Sequence, residues 1–264
     1  MFISSKDNPK IKLYRKLASC KRTRDEEGLF IIEGARSCMD FLSHGICPEC
    51  IFYTQRSVER YPELFNSQGF ESIPEEKRFE VSLNVAEKMS GVNSTQGVFV
   101  EARKLDSTLS LEEIRSNGRY LVTVDLSDPG NLGTMLRTSA AVGLDGVILA
   151  GDTVDLYNPK VVRSAMGSMP KLKLYIQRDA ETALKTLEKG GIKTCAAVVS
   201  GGKSVRELDF SGGCAVLIGN EARGLDEKIA GLCRERVTVD MSGDVESLNA
   251  AIAATILLWE MSKA

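Results

Sequence analysis

The first hundred residues alternate between short apolar runs and segments with helical spacing. In "NPKIKLYRKLAS" the apolar residues Ile11, Leu13 and Leu17 recur at roughly the spacing of one helix face, behind the start signal Asn8-Pro9. The runs "LFIIEG", "CIFYT" and "QGVFVEAR" predict strands, and "ARSCMDFLSHG" and "VAEKMSG" predict helices. Strands that alternate with helices predict a small α/β unit with a largely parallel sheet covered by helices.

The apolar runs become stronger in the second half of the chain. Five of them predict strands: "YLVTVDL", "GVILAG", "CAAVVSGG", "CAVLIGNE" and "RVTVDM". The segments between and after them predict helices at Leu132–Val142, Pro159–Met166, Ala180–Glu188 and Ser247–Met261. This pattern predicts a doubly wound α/β domain. The polar stretch 104–118 predicts a boundary, which gives domains at 1–106 and 117–264.

Composition narrows the class of protein. The 264 residues are 43 % hydrophobic and 27 % charged, with a net charge of −2, as in ordinary globular domains. No apolar stretch approaches the roughly 20 residues of a membrane-spanning helix, and the first residues lack a signal-peptide core, so we expect a cytoplasmic protein. The seven cysteines include one CxxC pair, Cys47 and Cys50, which supplies half a zinc site, and there is one histidine. The sequence therefore predicts no metal site.

Positive charge is concentrated near the N-terminus. Between Lys6 and Arg24 the chain carries eight basic residues and one acidic residue, Asp7. Such a stripe can hold phosphates even on an acidic protein, although a solvated helix face has the same composition. The candidate residues for phosphate binding, and so for a nucleic acid such as RNA, are Lys12, Arg15, Lys16, Lys21, Arg22 and Arg24.

Three polar clusters follow strands of the second domain, at the strand ends where parallel sheets bind ligands. The first is "VDLSDPGNLGTMLRTSAAVG". We expect its helix to begin near Asn131, whose side chain suits a cap. Arg137 is a lone cation in an otherwise small and apolar helix, so either it contacts something specific or it is a surface arginine.

The second cluster is "AVLIGNEARGLDEKI", in which a buried strand leads directly into Gly219 and Glu221. A glycine here allows close approach of a ligand to the backbone, but an ordinary turn explains it equally well. The pattern is neither the dinucleotide-binding Gly-x-Gly-x-x-Gly nor a phosphate-binding loop of the Walker type.

The third cluster is "VESLNAAIAA", between the last strand and the last helix. Ser247 is a plausible helix cap, and Glu246 complements the helix dipole. This interpretation leaves Asn249 inside the first turn, among apolar neighbours, where no cap requires it.

Taken in this order, the clusters resemble the SpoU (TrmH-like) branch of the SPOUT RNA methyltransferases, over about residues 117 to 264. The family's motifs have the forms N-x-G-x-x-x-R, G-x-E-x-x-G, and M-x-G followed by S-L-N. The matching residues are Asn131, Gly133 and Arg137; Gly219, Glu221 and Gly224; and Met241, Gly243, Ser247, Leu248 and Asn249. The sequence departs at Asp240, where the family usually has proline, and at Ala250, where it often has valine.

The N-terminal part is similar to the ribosomal-protein L30e type of substrate-binding domain that often precedes this catalytic domain. The matching stretches are "SSKDNPKIKLYRKL" and "FIIEGAR". The resemblance implies a trefoil knot in the catalytic domain, S-adenosylmethionine as the cofactor, and a homodimer with the active site completed across the interface. The residues implied to hold the cofactor are Gly219, Val239, Leu248 and Val199.

The implied reaction is methyl transfer to a ribose 2′-hydroxyl of RNA, with ribosomal RNA preferred to transfer RNA. The resemblance places Arg137 at the hydroxyl, as a base or as an electrostatic stabiliser. It implies that Asn131 and Glu221 orient Arg137 and the substrate, and that Ser247 and Asn249 shape the pocket. The alternatives are a non-catalytic RNA-binding protein of this fold, a Rossmann-type oxidoreductase, which the absent glycine fingerprint disfavours, and a base methyltransferase, which the motifs disfavour.

Overall fold

The computed structural model describes residues 1–46, 48–90, 94–242 and 246–263, and the chain forms two compact units. The first unit comprises Met1–Lys104 and Asp155–Pro170, and the second comprises Leu105–Val154 and Lys171–Ala264. Segment 155–170 therefore belongs structurally to the first unit, although it lies far along the sequence. The functional limits 1–106 and 117–264 stay a prediction.

The first unit contains a five-stranded sheet and short helices. Its elements are β1 (Phe2–Ile3), α1 (Pro9–Ser19), α2 (Lys21–Glu27), β2 (Leu29–Glu33), α3 (Ala35–Ser43), β3 (Pro48–Tyr53), α4 (Gln55–Arg60), α5 (Pro62–Phe65), α6 (Gln68–Glu71), β4 (Arg78–Val81), α7 (Leu83–Ser90), β5 (Val98–Arg103) and, from the later segment, α9 (Pro159–Ser164). A 3₁₀ turn, Glu75–Lys77, precedes β4.

The strands of this sheet lie in the order β1-β4-β3-β5-β2. The pairs β1–β4 and β4–β3 are parallel, but β5 is antiparallel to both of its neighbours, β3 and β2. The prediction of a largely parallel sheet was therefore wrong for this unit. Alternation of strands and helices does not fix direction, because the connection from α7 is long enough for β5 to enter the sheet from either end.

Helix α1 forms where the sequence predicts it and covers this sheet. Pro9 occupies its first turn, and the side chain of Asn8 accepts a hydrogen bond from the Lys10 amide at 2.9 Å. Ile11, Tyr14 and Leu17 are fully buried in the core between the helix and the strands. The opposite face of α1, which carries the basic residues, is exposed.

The second unit is a seven-stranded parallel sheet with helices. Its elements are β6 (Arg119–Val124), α8 (Pro129–Ala141), β7 (Gly146–Ala150), β8 (Lys173–Gln177), α10 (Ala180–Lys189), β9 (Lys193–Ala197), β10 (Lys203–Ser204), β11 (Cys214–Ile218), α11 (Glu227–Leu232), β12 (Glu235–Thr238) and α12 (Ala250–Ser262). The polar stretch 104–118, which connects β5 to β6, contains one 3₁₀ turn, Leu111–Glu113.

The strand order β10-β12-β9-β11-β6-β7-β8 confirms a parallel α/β sheet, with all six pairings parallel. The five strands expected from apolar runs are β6, β7, β9, β11 and β12. The sequence prediction missed β8, an edge strand whose three central residues Leu174–Ile176 lie between Lys173 and Gln177, and the two-residue β10. No helix in the described ranges is both long and apolar enough to span a bilayer.

Candidate active site

The carboxyl ends of β6, β9, β11 and β12 lie along one edge of the second sheet. Strand β11 pairs with β6 on one side and with β9 on the other, and β9 in turn pairs with β12, all in parallel. The three polar clusters of the sequence follow β6, β11 and β12, so this topology brings their loops to the same edge.

Asn131 lies in the first turn of α8 and does not cap it. The helix begins at Pro129, and Asp128 is the cap, because its Oδ1 accepts a hydrogen bond from the Asn131 amide at 2.8 Å. The expectation that Asn131 caps the helix was therefore wrong, and the helix starts two residues before it. Proline favours the first helical position, which makes the preceding residue the cap. The Asn131 side chain, released from capping, donates from Nδ2 to Glu221 Oε1 at 3.1 Å.

Glu221 accepts four hydrogen bonds from the β6–α8 loop and the first turn of α8. The donors are the Ser127 amide at 3.1 Å, Ser127 Oγ at 2.8 Å, the Asp128 amide at 2.9 Å and Asn131 Nδ2 at 3.1 Å. Partial burial raises the pKa of Glu221, but these donors, Asn131 first, outweigh it and lower the pKa to about 2. Glu221 is therefore an ionised, fully engaged acceptor that fixes the loop around it.

Asn249 is the cap of α12. The helix begins at Ala250, and Asn249 Oδ1 accepts hydrogen bonds from the amides of Ala251 at 2.9 Å and Ile252 at 3.3 Å. The expected cap, Ser247, was wrong, and so was the placement of Asn249 inside the first turn. The helix starts three residues later than predicted, because asparagine caps as well as serine does and stands next to the run of small helix-forming residues.

The NH₂ group of the Asn249 side chain contacts the first motif. Asn249 Nδ2 donates to Asn131 Oδ1 at 3.1 Å, so Glu221, Asn131 and Asn249 form one hydrogen-bonded chain. Its direction is fixed from both ends. The backbone amides of α12 can only donate, and an ionised carboxylate can only accept, so each asparagine has one possible orientation.

A cavity of about 260 Å³ lies beside this chain of hydrogen bonds. It is lined by the loops after β9, β11 and β12 and by the start of α12. The lining residues include Val198, Val199, Gly219, Asn220, Glu221, Arg223, Val239, Met241, Ser247, Leu248 and Ala253. The four residues expected to hold the cofactor, Gly219, Val239, Leu248 and Val199, are all among them. Its mixture of apolar walls and backbone groups from adjacent loops suits an amphipathic small molecule.

The loop after β11 requires glycine at its first position. A Cβ on Gly219 would lie 2.2 Å from the carbonyl carbon of Gly224, and Gly224 itself has a φ of +70°. Asn220 and Gly224 exchange two backbone hydrogen bonds, of 3.0 and 2.8 Å, which close the loop over itself. Any larger residue at 219 would open this turn and change the wall of the cavity.

Arg137 is exposed on α8 and is not among the described residues that line the cavity. It follows Asn131 by six residues, which on an ideal helix places it about 9 Å along the axis and about 120° around it. Its helix packs on α12, where the hydroxyls of Thr138 and Thr255 lie 3.2 Å apart. Arg137 and Asn131 thus lie on different faces of the same helix, α8.

Sequence reasoning missed Ser127, Asp128 and Asn220, which complete the polar network. The dipeptide Asp128-Pro129 was the available signal for the cap, since proline rarely lies deeper in a helix. Asn220 stands between two recognised motif positions, and its side chain donates to the Asp125 carbonyl at 2.9 Å. Gly243 and the loop residues 244–245 lie outside the described residues.

Comparison with known proteins decides the family. The SpoU rRNA Methylase family model matches residues 118–259, more than half of the chain. The chain belongs to the SpoU rRNA methylase family. A second model, the MRM3-like substrate binding domain, matches residues 8–100.

Relatives of this SpoU protein match along almost its whole length. An uncharacterized tRNA/rRNA methyltransferase of Synechocystis is 32 % identical over 98 % of this chain and 92 % of its own length. The 23S rRNA (guanosine(2553)-2′-O)-methyltransferase RlmP of Bacillus subtilis is 29 % identical over 98 % of both chains. The crystal structure of an AdoMet-bound rRNA methyltransferase from Sinorhizobium meliloti has a TM-score of 0.85 and 28 % identity, and covers 100 % of this chain and 97 % of that chain.

The basic stripe of this SpoU protein lies on α1 and α2 of the first unit, within the substrate-binding match. Lys12, Arg15 and Lys16 are exposed on α1, and Lys21 and Arg22 are exposed on α2. Two of them have acidic neighbours: Lys12 lies 3.3 Å from Asp7, and Arg22 lies 2.7 Å from Glu26.

Arg24 does not belong to this surface. It is 3 % exposed, its Nε and Nη2 bind Asp155 Oδ2 at 2.9 and 2.5 Å, and its Nη1 donates to the Leu17 carbonyl. We correct the sequence assignment accordingly, because a guanidinium engaged on both sides in the core is unavailable to a phosphate. The sequence contained no local signal, since the partner lies 131 residues away.

The described member of the cysteine pair, Cys50, is buried. Cys47 lies outside the described residues, and the buried Cys50 thiol donates to Glu101 Oε2 at 3.2 Å. Burial and the neighbouring Glu101 raise the pKa of this thiol. Within the described ranges, no three His, Cys, Asp or Glu side chains are grouped closely enough to hold a metal ion.

Proposed function

We propose that this protein transfers a methyl group from S-adenosylmethionine to a ribose 2′-hydroxyl of ribosomal RNA. The observation that carries the proposal is the hydrogen-bonded chain Glu221–Asn131–Asn249, which joins three motifs separated in sequence and lies beside the cavity. Membership of the SpoU rRNA methylase family and the likeness to a 23S rRNA 2′-O-methyltransferase support the reaction and the RNA class.

The cavity fits the cofactor by its chemistry. Gly219, Val199, Val239 and Leu248 supply backbone groups and apolar walls suited to a flat adenine ring and an uncharged ribose. Ser247 and Glu221 add polar groups at its wall. When bound, S-adenosylmethionine supplies an already activated methyl group. The protein's tasks are then to place the hydroxyl, to exclude water and to stabilise charge on the hydroxyl oxygen.

The polar residues divide these tasks. Glu221 positions the loop rather than accepting a proton, because its pKa of about 2 and its four donors leave it a poor base. Asn131 and Asn249 hold each other in a single orientation and present a rigid polar edge. Arg137 supplies positive charge to the developing oxyanion, because a guanidinium keeps its own proton at physiological pH and is a poor base. The proton of the 2′-hydroxyl passes to solvent water at this exposed position as the oxygen accepts the methyl group.

A second copy of the chain completes the site in this proposal. Ile252 and Trp259 lie seven residues apart on α12 and are 50 % and 56 % exposed, whereas the opposite face of the helix is buried. Large apolar residues repeated along one exposed helix face are typical of a protein interface. A homodimer through α12 would bring partner groups close to α8, which carries the exposed Arg137. A particle of monomer mass by light scattering at micromolar concentration would contradict this arrangement.

The first unit would bind the RNA through Lys12, Arg15 and Lys16, whose side chains share the exposed face of α1. In this division of labour the region 1–106 recognises RNA and the region 117–264 performs the chemistry. The trefoil knot is proposed for the second region by family resemblance.

The decisive experiment maps 2′-O-methyl sites on total RNA from cells with and without the gene. We expect one ribosomal nucleotide to lose its methyl group in the deletion strain and to regain it with the wild-type gene but not with Arg137→Ala. Loss of a transfer-RNA methyl group instead would overturn the ribosomal assignment. If no ribose site changes and calorimetry detects no S-adenosylmethionine binding, the protein is a non-catalytic RNA-binding member of the fold.

A further inference from the structure

Asp125, which follows β6, has an unusual backbone conformation. Its φ is +52°, in the left-handed region, and among the non-glycine residues of the described ranges only Met166 shares this property. Aspartate tolerates this region better than most residues, yet it remains disfavoured relative to glycine. Left-handed residues persist where the surrounding structure holds them, and they concentrate at functional sites.

The surroundings of Asp125 hold it from three sides. Its amide donates to the Ala150 carbonyl at 3.0 Å, and its Oδ1 accepts from the Asp152 amide at 2.7 Å. Its carbonyl accepts from Asn220 Nδ2 at 2.9 Å. The left-handed turn therefore directs the Asp125 carbonyl towards the loop after β11.

Asn220 uses the other end of its amide to close that loop. Its Oδ1 accepts from the amides of Ala222 at 3.0 Å and Arg223 at 3.3 Å. Together with the two backbone bonds between Asn220 and Gly224, these contacts fix the whole segment 220–224, which lines the cavity. The same side chain thus ties the cavity wall to the corner that follows β6.

We propose that Asp125 and Asn220 are a pair of positioning residues that preorganise the loop 219–224 for the cofactor. Asn220 precedes Glu221, and Asp125 lies two residues before Ser127. The hydrogen bond between Asn220 and Asp125 therefore helps to hold Glu221 within hydrogen-bonding distance of Ser127. A wall fixed before binding loses less conformational freedom on binding and so binds more tightly. This inference rests on the proposed cofactor cavity.

A replacement at position 220 can remove the hydrogen-bond donor of the Asn220 side chain and keep its acceptor. Asn220→Asp keeps an acceptor for Ala222 and Arg223 but replaces the donor by an oxygen that faces the Asp125 carbonyl. We expect the Kd for S-adenosylmethionine, measured by calorimetry on the full-length protein, to rise at least about tenfold. Asn158→Asp is the matched control, because Asn158 Oδ1 caps α9 and aspartate caps equally well.

Replacements at 125 separate the backbone conformation from the side chain. Asp125→Asn keeps both the acceptor and the tolerance for positive φ, and we expect wild-type binding. Asp125→Ala loses both and should weaken binding about tenfold. Asp125→Gly loses the bond to Asp152 but adopts the left-handed turn freely, so we expect it to recover most of the affinity. The far-UV circular dichroism spectrum and the cooperativity of urea unfolding should be unchanged in every variant, which a general folding defect would not allow.

Three outcomes overturn the inference or its basis. If wild-type protein does not bind S-adenosylmethionine, the proposed function fails. If wild-type protein binds but Asn220→Asp and Asp125→Ala bind equally well, the positioning role fails. If Asp125→Gly is as weak as Asp125→Ala, the left-handed backbone is not the determinant. Should Asn220→Asp not fold, as judged by circular dichroism, Asn220→Ser, which lacks the amide donor, provides the same comparison.

Discussion

Asn249 Nδ2 donates a 3.1 Å hydrogen bond to Asn131 Oδ1, across 118 residues of sequence. The same Asn249 side chain caps α12 through its oxygen. One residue therefore begins the last helix and fixes the orientation of an asparagine in the first motif. The sequence offered helix capping and a role in the site as alternative explanations of the residues before α12. The structure shows that Asn249 both caps the helix and contacts the first motif.

Substitution of Asn249 should separate these two tasks. Serine caps a helix as well as asparagine but has no amide to donate, so Asn249→Ser should retain wild-type stability and lose at least about tenfold in methylation rate. Asn249→Ala should lose the same activity and, in addition, about 1 kcal/mol of unfolding free energy. Urea unfolding and a methyl-transfer assay measure the two quantities. Wild-type turnover in Asn249→Ser would show that the bond to Asn131 is dispensable.

The convergence of the three motifs could be predicted from sequence, but the cap of the last helix could not. Strand ends in a parallel sheet share one edge, so apolar runs alone indicated that Asn131, Glu221 and Asn249 would lie near one another. The helix starts depend on which of several polar residues binds the first free amides, and Asp128, Asn131, Ser247 and Asn249 are all suitable caps. Pro129 ranks Asp128 above Asn131 for α8. No local pattern ranks Ser247 and Asn249 for α12, because tertiary contacts decide that choice.

Contacts between distant segments explain the remaining errors. Arg24 looked like one more cation of the basic stripe, and only the fold brings Asp155 to it. Likewise, the antiparallel direction of β5 depends on where its connection enters the sheet. Apolar periodicity reports which face of an element is buried but contains no information about its partner.

Replacement of Arg137 should abolish chemistry and spare binding. Because Arg137 is exposed and does not line the cavity, Arg137→Ala should leave the unfolding free energy and the Kd for S-adenosylmethionine nearly unchanged. The methylation rate should fall by at least about 100-fold, the typical cost of removing a donor that stabilises an oxyanion. Single-turnover kinetics measure it, with the exposed Arg178→Ala as the control. Near-normal turnover would refute the assignment.

Charge reversal on α1 should weaken RNA binding in a salt-dependent manner. Lys12, Arg15 and Lys16 are exposed on one helix, so replacing all three by glutamate removes up to three phosphate contacts. Each lost contact should reduce the slope of log K against log salt by roughly 0.7 to 0.9. Filter binding between 50 and about 200 mM salt measures the slope. Lys189→Glu, on α10 of the second unit, is the control. An unchanged slope in the triple variant would mean that these three residues do not contact RNA phosphates.

The buried ion pair between Arg24 and Asp155 should matter far more for stability than its exposed neighbour. The side chains of Arg24 and Asp155 are 4 % and 12 % exposed, against 85 % and 58 % for Arg22 and Glu26. Arg24→Ala leaves a buried carboxylate without its partner and should cost about 3–5 kcal/mol of unfolding free energy. Arg22→Ala should cost about 0.5 kcal/mol or less. If Arg24→Ala and Arg22→Ala lower the free energy of unfolding equally, the buried ion pair contributes no more to stability than the exposed one.

Glu101 should make the first unit less stable as the pH rises. Its side chain is 3 % exposed, and one of its oxygens, Oε1, has no hydrogen-bond partner among the described residues. Burial raises its pKa from the usual 4.5 to about 7, although the Cys50 thiol and Lys10 oppose the rise. The folded state therefore favours the protonated carboxyl. Its stabilising contribution is complete below pH 4.5 and is lost as the pH rises through about 7.

Glu101→Gln should remove this dependence, because glutamine keeps the shape and an acceptor for the Cys50 thiol but does not ionise. The difference between pKa values of 4.5 and about 7 corresponds to a loss on the order of 3 kcal/mol in the wild-type protein. Urea unfolding at pH 5, 6, 7 and 8 should show a falling free energy for wild type and a nearly constant one for Glu101→Gln. Glu76→Gln, at an exposed carboxyl of the same unit, should follow wild type. Parallel curves for wild type and Glu101→Gln would mean that burial does not raise the pKa of Glu101 in the folded state.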